Sequence, residues 1–332
     1  MKKNQSILIT GGTGSFGKAF ISKIANSKVK IKRLVIYSRD ELKQSEMAET
    51  YPKKKYPFIR FFLGDVRDQN RLLSAMQKID VVIHAAALKQ VPATEYNPFE
   101  AVKTNIIGAQ NIIESAISAG VKNVIALSTD KAAAPVNLYG ATKLCSDKLF
   151  ISANNIIGNR KLKFSVVRYG NVFGSRGSVV PFFLSKKEGG VLPITDPNMT
   201  RFNISLEQGV DLVLWVLKNA IGGEIFIPKL ASYKITDMAS AIGPKCKHKV
   251  VGIRPGEKIH EEMITVSDSY NTLELQDNYI ILPSLENKYL SYYKKKFRAR
   301  NVKKDFTYRS NGTKKFLSIK NLKDLLEIYK KK

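Results

Sequence analysis

Ser6-Ile7-Leu8-Ile9-Thr10 is a short apolar run that stops on Gly11-Gly12-Thr13-Gly14-Ser15-Phe16-Gly17, and no other segment narrows the fold as far. Helical spacing begins at once, with Phe16, Phe20 and Ile24 four residues apart. A buried strand, a glycine turn and a helix in that order open a dinucleotide-binding βαβ unit. Gly11, Gly14 and Gly17 form G-x-x-G-x-x-G. Glycine allows the tight turn, close approach of the backbone to a pyrophosphate and close helix–strand packing, while the helix N-terminus offers free N–H groups to the anion. Gly11, Thr13, Gly14, Ser15, Phe16 and Gly17 are therefore the expected phosphate-side contacts.

The motif gains weight from its place at the head of a longer alternation. Arg33-Leu34-Val35-Ile36-Tyr37, Ile59-Arg60-Phe61-Phe62-Leu63, Asp80-Val81-Val82-Ile83-His84, Asn123-Val124-Ile125-Ala126-Leu127 and Phe164-Ser165-Val166-Val167-Arg168 are further apolar runs separated by helical segments. Near-continuous apolar strands alternating with helices describe a parallel sheet buried on both faces, the doubly wound α/β class. After Gly170 the pattern loosens. A strong helix spans 205–219, and 223–227 reads as one more strand. Beyond Lys234 the elements shorten, and 320–332 has helical spacing ending in Lys residues. The expected organisation is a Rossmann domain over 1–170, with 200–228 returning to it, and a substrate-binding domain over 171–199 and 229–332.

The second strand ends in Tyr37-Ser38-Arg39-Asp40. Ser38 and Arg39, with Lys43 one turn on, suit a ribose 2′-phosphate, so the expected cofactor is NADP. Asp40 either caps the next helix or faces the ribose. Asp65 either contacts the adenine or caps a helix. Ser128-Thr129-Asp130-Lys131 closes the fifth strand, and Tyr139-Gly140-Ala141-Thr142-Lys143 comes next. Tyr-x-x-x-Lys sets phenol and ammonium one helical turn apart, and a nearby cation is expected to bring Tyr139 toward neutral pH as an acid/base.

These residues resemble the extended short-chain dehydrogenase/reductases that act on nucleotide sugars. Tyr37-Ser38-Arg39-Asp40-Glu41-Leu42-Lys43-Gln44, Ala85-Ala86-Ala87-Leu88-Lys89, Ser128-Thr129-Asp130-Lys131-Ala132-Ala133, Arg168-Tyr169-Gly170-Asn171-Val172, Met199-Thr200-Arg201-Phe202 and Arg254-Pro255-Gly256-Glu257-Lys258 are similar, more narrowly, to the soluble inverting UDP-N-acetylglucosamine 4,6-dehydratases. The resemblance runs from Ser6 to Leu282. It implies a catalytic set of Thr129, Asp130, Lys131, Tyr139 and Lys143, with Lys131 removing the C5 proton and Asp130 protonating the departing C6 oxygen. Val66, Ala86, Lys89 and Val172 join the implied cofactor contacts. Lys89, Asn171, Thr195, Arg201, Arg254 and Glu257 are the implied substrate contacts, with the two arginines on the diphosphate and Glu257 on the uridine ribose. The family also implies a homo-oligomer, commonly a hexamer, and a place at the first step of pseudaminic acid synthesis. Two residues depart from the pattern: Ala134 stands where the family usually has Asn, and Gln90 where His is common. Tyr139 argues against a retaining dehydratase, where methionine would be favoured. A related UDP-sugar dehydratase or epimerase for capsule or lipopolysaccharide sugars is the alternative.

The net charge of +27 invites a polyanion partner. Yet 42 of the 55 cationic residues are Lys, whereas nucleic-acid readers favour Arg forks interleaved with aromatics. The densest clusters, 53–55, 294–300 and 330–332, read as solvated loops and tail, so neither nucleic acid nor membrane is expected as a partner. No window approaches the ~18 consecutive apolar residues of a membrane span. The start lacks a secretory signal, and two cysteines are too few for a disulfide scaffold or zinc site. The sequons at Asn198, Asn203 and Asn311 then carry no weight, and a reduced, cytoplasmic setting is expected. His84, His248 and His260 do not cluster in the sequence, so no metal is expected. Cys145 is read as a small core residue.

Overall fold

The strand–glycine–helix opening builds the centre of the molecule in the computed structural model, which describes residues 4–175 and 177–331. Residues 1–3 and Lys332, parts of the charged termini, lie outside the described residues. β1 (Ser6–Thr10) runs into α1 (Ser15–Ala25), then β2 (Arg33–Ser38), α2 (Glu41–Thr50), β3 (Ile59–Leu63), α3 (Gln69–Ala75) and β4 (Val81–His84). α4 (Val91–Tyr96), α5 (Pro98–Val102) and α6 (Gly108–Ser118) lead to β5 (Asn123–Thr129), α7 (Leu138–Ser152) and β6 (Lys163–Tyr169). These six strands pair in parallel in the order β3-β2-β1-β4-β5-β6, the doubly wound arrangement expected.

Alternation along β1 explains why both faces are covered. Ile7 and Ile9 point to the layer of Phe20, Ile21 and Ile24 from α1, while Leu8 points to Leu72 and Ile112 on the other side. All are buried, which is why the strands read as unbroken apolar runs rather than alternating ones.

α8 (Val179–Lys186), β7 (Val191–Ile194) and β8 (Thr200–Asn203) precede α9 (Leu206–Asn219), which packs on α1 through its Val210, Val213 and Val216 face. Ser205 and Gln208 cap α9 reciprocally. β9 (Ile225–Pro228) then joins β6 in parallel. β10 (Ala231–Lys234), α10 (Ile235–Ile242), β11 (Lys247–Val250), β12 (Glu262–Ile264) and α11 (Val266–Ser269) come after it. β13 (Thr272–Glu274) and β14 (Asn278–Ile281) form a hairpin. It pairs antiparallel with β9 and, with β15 (Arg300–Asn301), extends the sheet to ten strands among the described residues.

The stretch 272–301 was expected in the smaller lobe; its strands are hydrogen-bonded into the main sheet. Between them α12 (Asn287–Phe297) buries Tyr289 and Tyr293 in the main core, with Tyr293 donating to the buried Glu224 carboxylate at 2.6 Å. Lys294, Lys295 and Lys296 therefore occupy the last turn of a helix rather than a loop, where cations complement the helix dipole. A third apolar cluster holds the smaller lobe together. There Val180 and Phe183 of α8, Leu192 and Ile194 of β7, and Met238 and Ile242 of α10 meet Leu322 and Leu326. Those leucines lie on α13 (Ile319–Lys330), which comes after β16 (Tyr308–Arg309). Among the described residues no helix is long and apolar enough to cross a membrane.

Gly17 lets α1 lie close against the loop after β1. A Cβ there would lie 2.3 Å from the Gly12 carbonyl oxygen. Gly17→Ala is expected to push α1 off β1 and cost about 1–3 kcal/mol, read by thermal unfolding.

Candidate active site

The cavity that matters lies across the C-terminal ends of the parallel strands and has a volume of about 550 Å³. Its floor is the glycine loop. Gly11 sits at φ +64, and a Cβ there would come within 2.9 Å of the Ala85 and Ala86 backbone. Gly14 starts α1 with no side-chain cap and no acidic residue in the first turn, so the helix's leading N–H groups are left for an anion. Gly11, Thr13, Gly14, Ser15, Phe16 and Gly17 all line this end.

Ser38, Arg39, Lys43, Asp65, Val66 and Ala86 form the next stretch of wall. Ser38 Oγ and Thr13 Oγ1 share a hydrogen bond of 2.8 Å, which ties the second strand's end to the glycine loop. Asp40 is the cap of α2: it accepts from the Lys43 N–H at 3.0 Å and also pairs with the Lys43 ammonium. Asp65 is no cap, because Asp68 holds that place on α3, accepting from the Arg71 N–H at 2.9 Å. The Asp65 carboxylate instead takes Arg67 at 2.7 Å and Arg39 at 3.3 Å. Partial burial alone would raise its pKa; the Arg67 hydrogen bonds and the Arg39 charge outweigh that and hold it low.

The other end of the cavity is lined by Thr129, Asp130, Lys131, Tyr139 and Lys143, together with Lys89, Asn171 and Val172. Asn137 caps α7 by accepting from the Gly140 N–H at 2.8 Å. A Cβ on Gly140 would fall 2.2 Å from the Lys131 carbonyl oxygen, so this glycine lets α7 lie directly against the Asp130–Ala132 turn. That contact sets the Tyr139 phenol beside Thr129, whose hydroxyl donates to Asp130 Oδ1 at 2.9 Å.

Charge in this corner is concentrated and dry. The Lys131 ammonium lies 3.1 Å from Asp130 Oδ1 and 3.0 Å from Glu261 Oε1. Asp130 is 1% exposed and Glu261 2%. Burial, then the like charge of Glu261, raise the Asp130 pKa above the usual carboxylate range. Burial pushes Glu261 the same way, but Lys131 and Arg201 outweigh it and hold the group low. Burial disfavours the Lys131 charge, yet Asp130 and Glu261 overcome that and raise its pKa. Lys131, expected as a ready base, thus rests as an ammonium between two carboxylates.

Tyr139 also departs from expectation. Burial pushes its phenol up to about 12, and the cation that chiefly opposes this is Lys131. Lys143 is itself buried and held below its ordinary value by that burial, with Asp147 opposing. Burial, then repulsion from Lys131, lower Lys89. Asp130 Oδ2 and Asn171 Oδ1 are buried with no protein hydrogen-bond partner, two polar atoms beside an open cavity.

The remaining expected substrate residues are not on the cavity wall. Arg201 is 9% exposed and turned into the protein, donating to the Thr200 and Ile259 carbonyls at 2.8 and 3.1 Å. Its Nε lies 3.5 Å from Glu261. Arg254 and Glu257 are paired with each other, three residues apart in sequence. Thr195 is partly buried just beyond β7. Sequence reasoning missed Glu261, although it stands three residues after Lys258, the end of the Arg254–Lys258 motif. Cys145, read as core, is exposed, because α7 buries Thr142, Lys143, Ser146 and Asp147 on its other face. Among the described residues no cluster of His, Cys, Asp or Glu is arranged to hold a metal. Ala134 has φ +44, the left-handed region that Asn enters more easily than Ala. Ala134→Asn is expected to stabilise by about 0.5–1 kcal/mol, read as a raised Tm.

Fold and site together define a Rossmann-type protein of the extended short-chain dehydrogenase/reductase class. A family profile described as polysaccharide biosynthesis protein matches residues 7–283, and the chain belongs to that family. It is 53% identical over 332 residues to the UDP-N-acetylglucosamine 4,6-dehydratase (inverting) of Campylobacter jejuni subsp. jejuni serotype O:2, covering 98% of each chain. It is 39% identical to the UDP-glucose 4-epimerase of Rickettsia akari, over 97% of this chain and 95% of the other. Among solved structures it resembles Pen from Bacillus thuringiensis, with a TM-score of 0.89 and 38% identity over 99% of this chain and 98% of that one.

Proposed function

We propose that this chain removes water from UDP-N-acetylglucosamine across C5 and C6, with NADP as a recycled cofactor and inversion at C5. The product is UDP-2-acetamido-2,6-dideoxy-β-L-arabino-hex-4-ulose, and the step is the first of pseudaminic acid synthesis for surface or flagellin glycosylation. The reading includes a cytoplasmic homo-oligomer built from a dinucleotide-binding and a substrate-binding region. The observation that carries it is the contact between Asp130 and Lys131 on the wall that also holds Tyr139. An epimerase needs only a group that handles the C4 proton. A 4,6-dehydratase also needs a base for C5 and an acid for the C6 oxygen, and this pair supplies both.

The residues present fit a dinucleotide. Side chains at Gly11 and Gly17 would fill the cradle, the α1 N-terminus is uncapped, and Ser38, Arg39 and Lys43 line the same cavity. A nicotinamide held there would supply the redox chemistry, as acceptor of the C4 hydride and its donor to C6. Tyr139, a neutral phenol at rest, first gives its proton to solvent and then, as a phenolate favoured by the Lys131 charge, receives the C4 hydroxyl proton. The ketone at C4 then acidifies the C5 hydrogen. A proton hop of 3.1 Å from Lys131 to Asp130 converts the resting ion pair into a neutral amine beside a carboxylic acid. Lys131 takes the C5 proton, Asp130 gives its proton to the C6 oxygen, and water leaves. The pair is an ammonium and a carboxylate again, so its protons balance over the cycle. Tyr139 returns its proton to C5 from the opposite face, which inverts that centre.

The test is incubation of purified protein with UDP-N-acetylglucosamine, without added dinucleotide, with the product read by NMR and the nucleotide released on denaturation identified. A 6-deoxy-4-keto sugar and released NADP are expected. Released NAD would overturn the cofactor assignment; a C4 epimer with no ketone would move the chain to the epimerase reading that its 39% identical relatives favour.

A further inference from the structure

We propose that Glu261 is a positioning residue for the Asp130–Lys131 pair: buried behind Lys131 and backed by Arg201, it fixes the ammonium between two carboxylates and sets the pH window in which the pair holds one proton. The inference rests on the dehydratase reading for its kinetic arm only.

Glu261 comes from the segment leading into β12, 130 residues after Lys131. Its backbone N–H donates to Ser310 Oγ at 2.9 Å, and Ser310 donates on to the Thr200 carbonyl at 3.2 Å. The backbone is thereby pinned to the strand that carries Arg201. Of the two carboxylate oxygens, Oε1 takes Lys131 at 3.0 Å and Oε2 has no hydrogen-bond partner. Glu261 does not line the cavity, so it acts through Lys131 rather than on a substrate. The charged and titratable groups around it are Lys131 and Asp130 from the turn after β5, Arg201 from β8, Tyr233 from β10 and Lys258 from its own segment. Burying an ion pair is costly unless each charge is held in good geometry, and truncating one partner leaves the others uncompensated. A second carboxylate on Lys131 therefore has a definite effect. It raises the proton affinity of both members of the pair, because an added buried anion favours every bound proton nearby.

The pair is competent while it carries a single proton, from the acid limb where Asp130 gains a second one to the alkaline limb where Lys131 loses its own. Removing the Glu261 charge lowers both limits. In Glu261→Gln the acid limb of kcat is expected to move down by about one pH unit or more, and the alkaline limb to move down with it. KM is expected to stay within about twofold of the wild type, since Glu261 touches no substrate. Glu261→Asp, with its charge drawn back by one methylene, is expected to fall between the two.

A second readout needs no turnover. In protein carrying 13C-labelled aspartate carboxyls, Asp130 is assigned by its loss in Asp130→Asn. Its titration midpoint is expected to fall in the order wild type, Glu261→Asp, Glu261→Gln. Should Glu261→Gln not fold, the aspartate variant must still show the fall. An unchanged midpoint in a folded variant, or unchanged limbs with only KM affected, overturns the proposal. A wild type that does not turn over UDP-N-acetylglucosamine but whose midpoint moves as described overturns the substrate reading and supports the placement of Glu261.

Discussion

Asp130→Asn is expected to lower dehydration of UDP-N-acetylglucosamine by about 10³-fold while leaving the bound dinucleotide in place. An amide has nearly the same shape as the acid, keeps an acceptor for Thr129 and cannot deliver a proton to the C6 oxygen. It also ends the exchange with Lys131, whose ammonium is left beside Glu261, a carboxylate held low by Lys131 and Arg201 and so a poor acceptor of its proton. The loss is therefore expected in kcat. The substitution removes a buried carboxylate whose Oδ2 has no protein partner, so stability is expected to hold or improve slightly, and thermal unfolding separates this from a folding defect. Retained dehydration would remove Asp130 from the chemistry. The C5 step is separable: hydrogen exchange at C5 in deuterated solvent is expected to fall with the dehydration rate, since both need the Asp130–Lys131 hop.

The largest stability effect is expected at Arg168. This guanidinium is 2% exposed and lies between elements that must stay together. It donates to Asp147 at 3.2 Å and to the Met263 carbonyl at 3.0 Å, and reaches Asp268 at 3.7 Å. Asp147 also accepts from Ser128 at 2.7 Å, so β5, β6, α7 and the segment 263–268 meet through these polar groups. Arg168→Met leaves Asp147 charged in a dry site and is expected to cost about 3–5 kcal/mol, read as a lowered urea midpoint. Replacing both partners, Arg168→Met with Asp147→Leu, is expected to recover part of that loss, because the carboxylate that the arginine compensates is gone too; recovery stays partial because buried Lys143 loses the Asp147 charge. Equal losses in the single and double variants would show that packing, not charge, dominates there.

What the sequence made legible was local. The glycine loop, the six central strands and α9 come from periodicity and from backbone demands that only glycine meets, and each was readable within its own short segment. The expected dinucleotide contacts all reach one cavity because the ends of parallel strands converge whatever the loops do. Long-range pairing was not legible. The hairpin of β13 and β14 shows this, because nothing in its pattern names β9 as its neighbour. Arg201 and Glu261 show the same limit: each is a charged residue in or beside a recognisable motif, and only folding turns them toward each other instead of toward the cavity. The resting charge of Lys131 was equally hidden, because it depends on a carboxylate distant in sequence. Residue type announced an acid and a base at Asp130 and Lys131. The microenvironment decides which of them holds the proton.

One labelling measurement bears most directly on the dehydratase reading. UDP-N-acetylglucosamine carrying deuterium at C4 is converted by the purified protein and the product examined by NMR. Internal hydride return predicts a 4-keto sugar with the label in the C6 methyl group and an L-configured C5 bearing a solvent hydrogen. A product with the D configuration at C5, a label lost to solvent, or no 6-deoxy-4-keto sugar at all would contradict it.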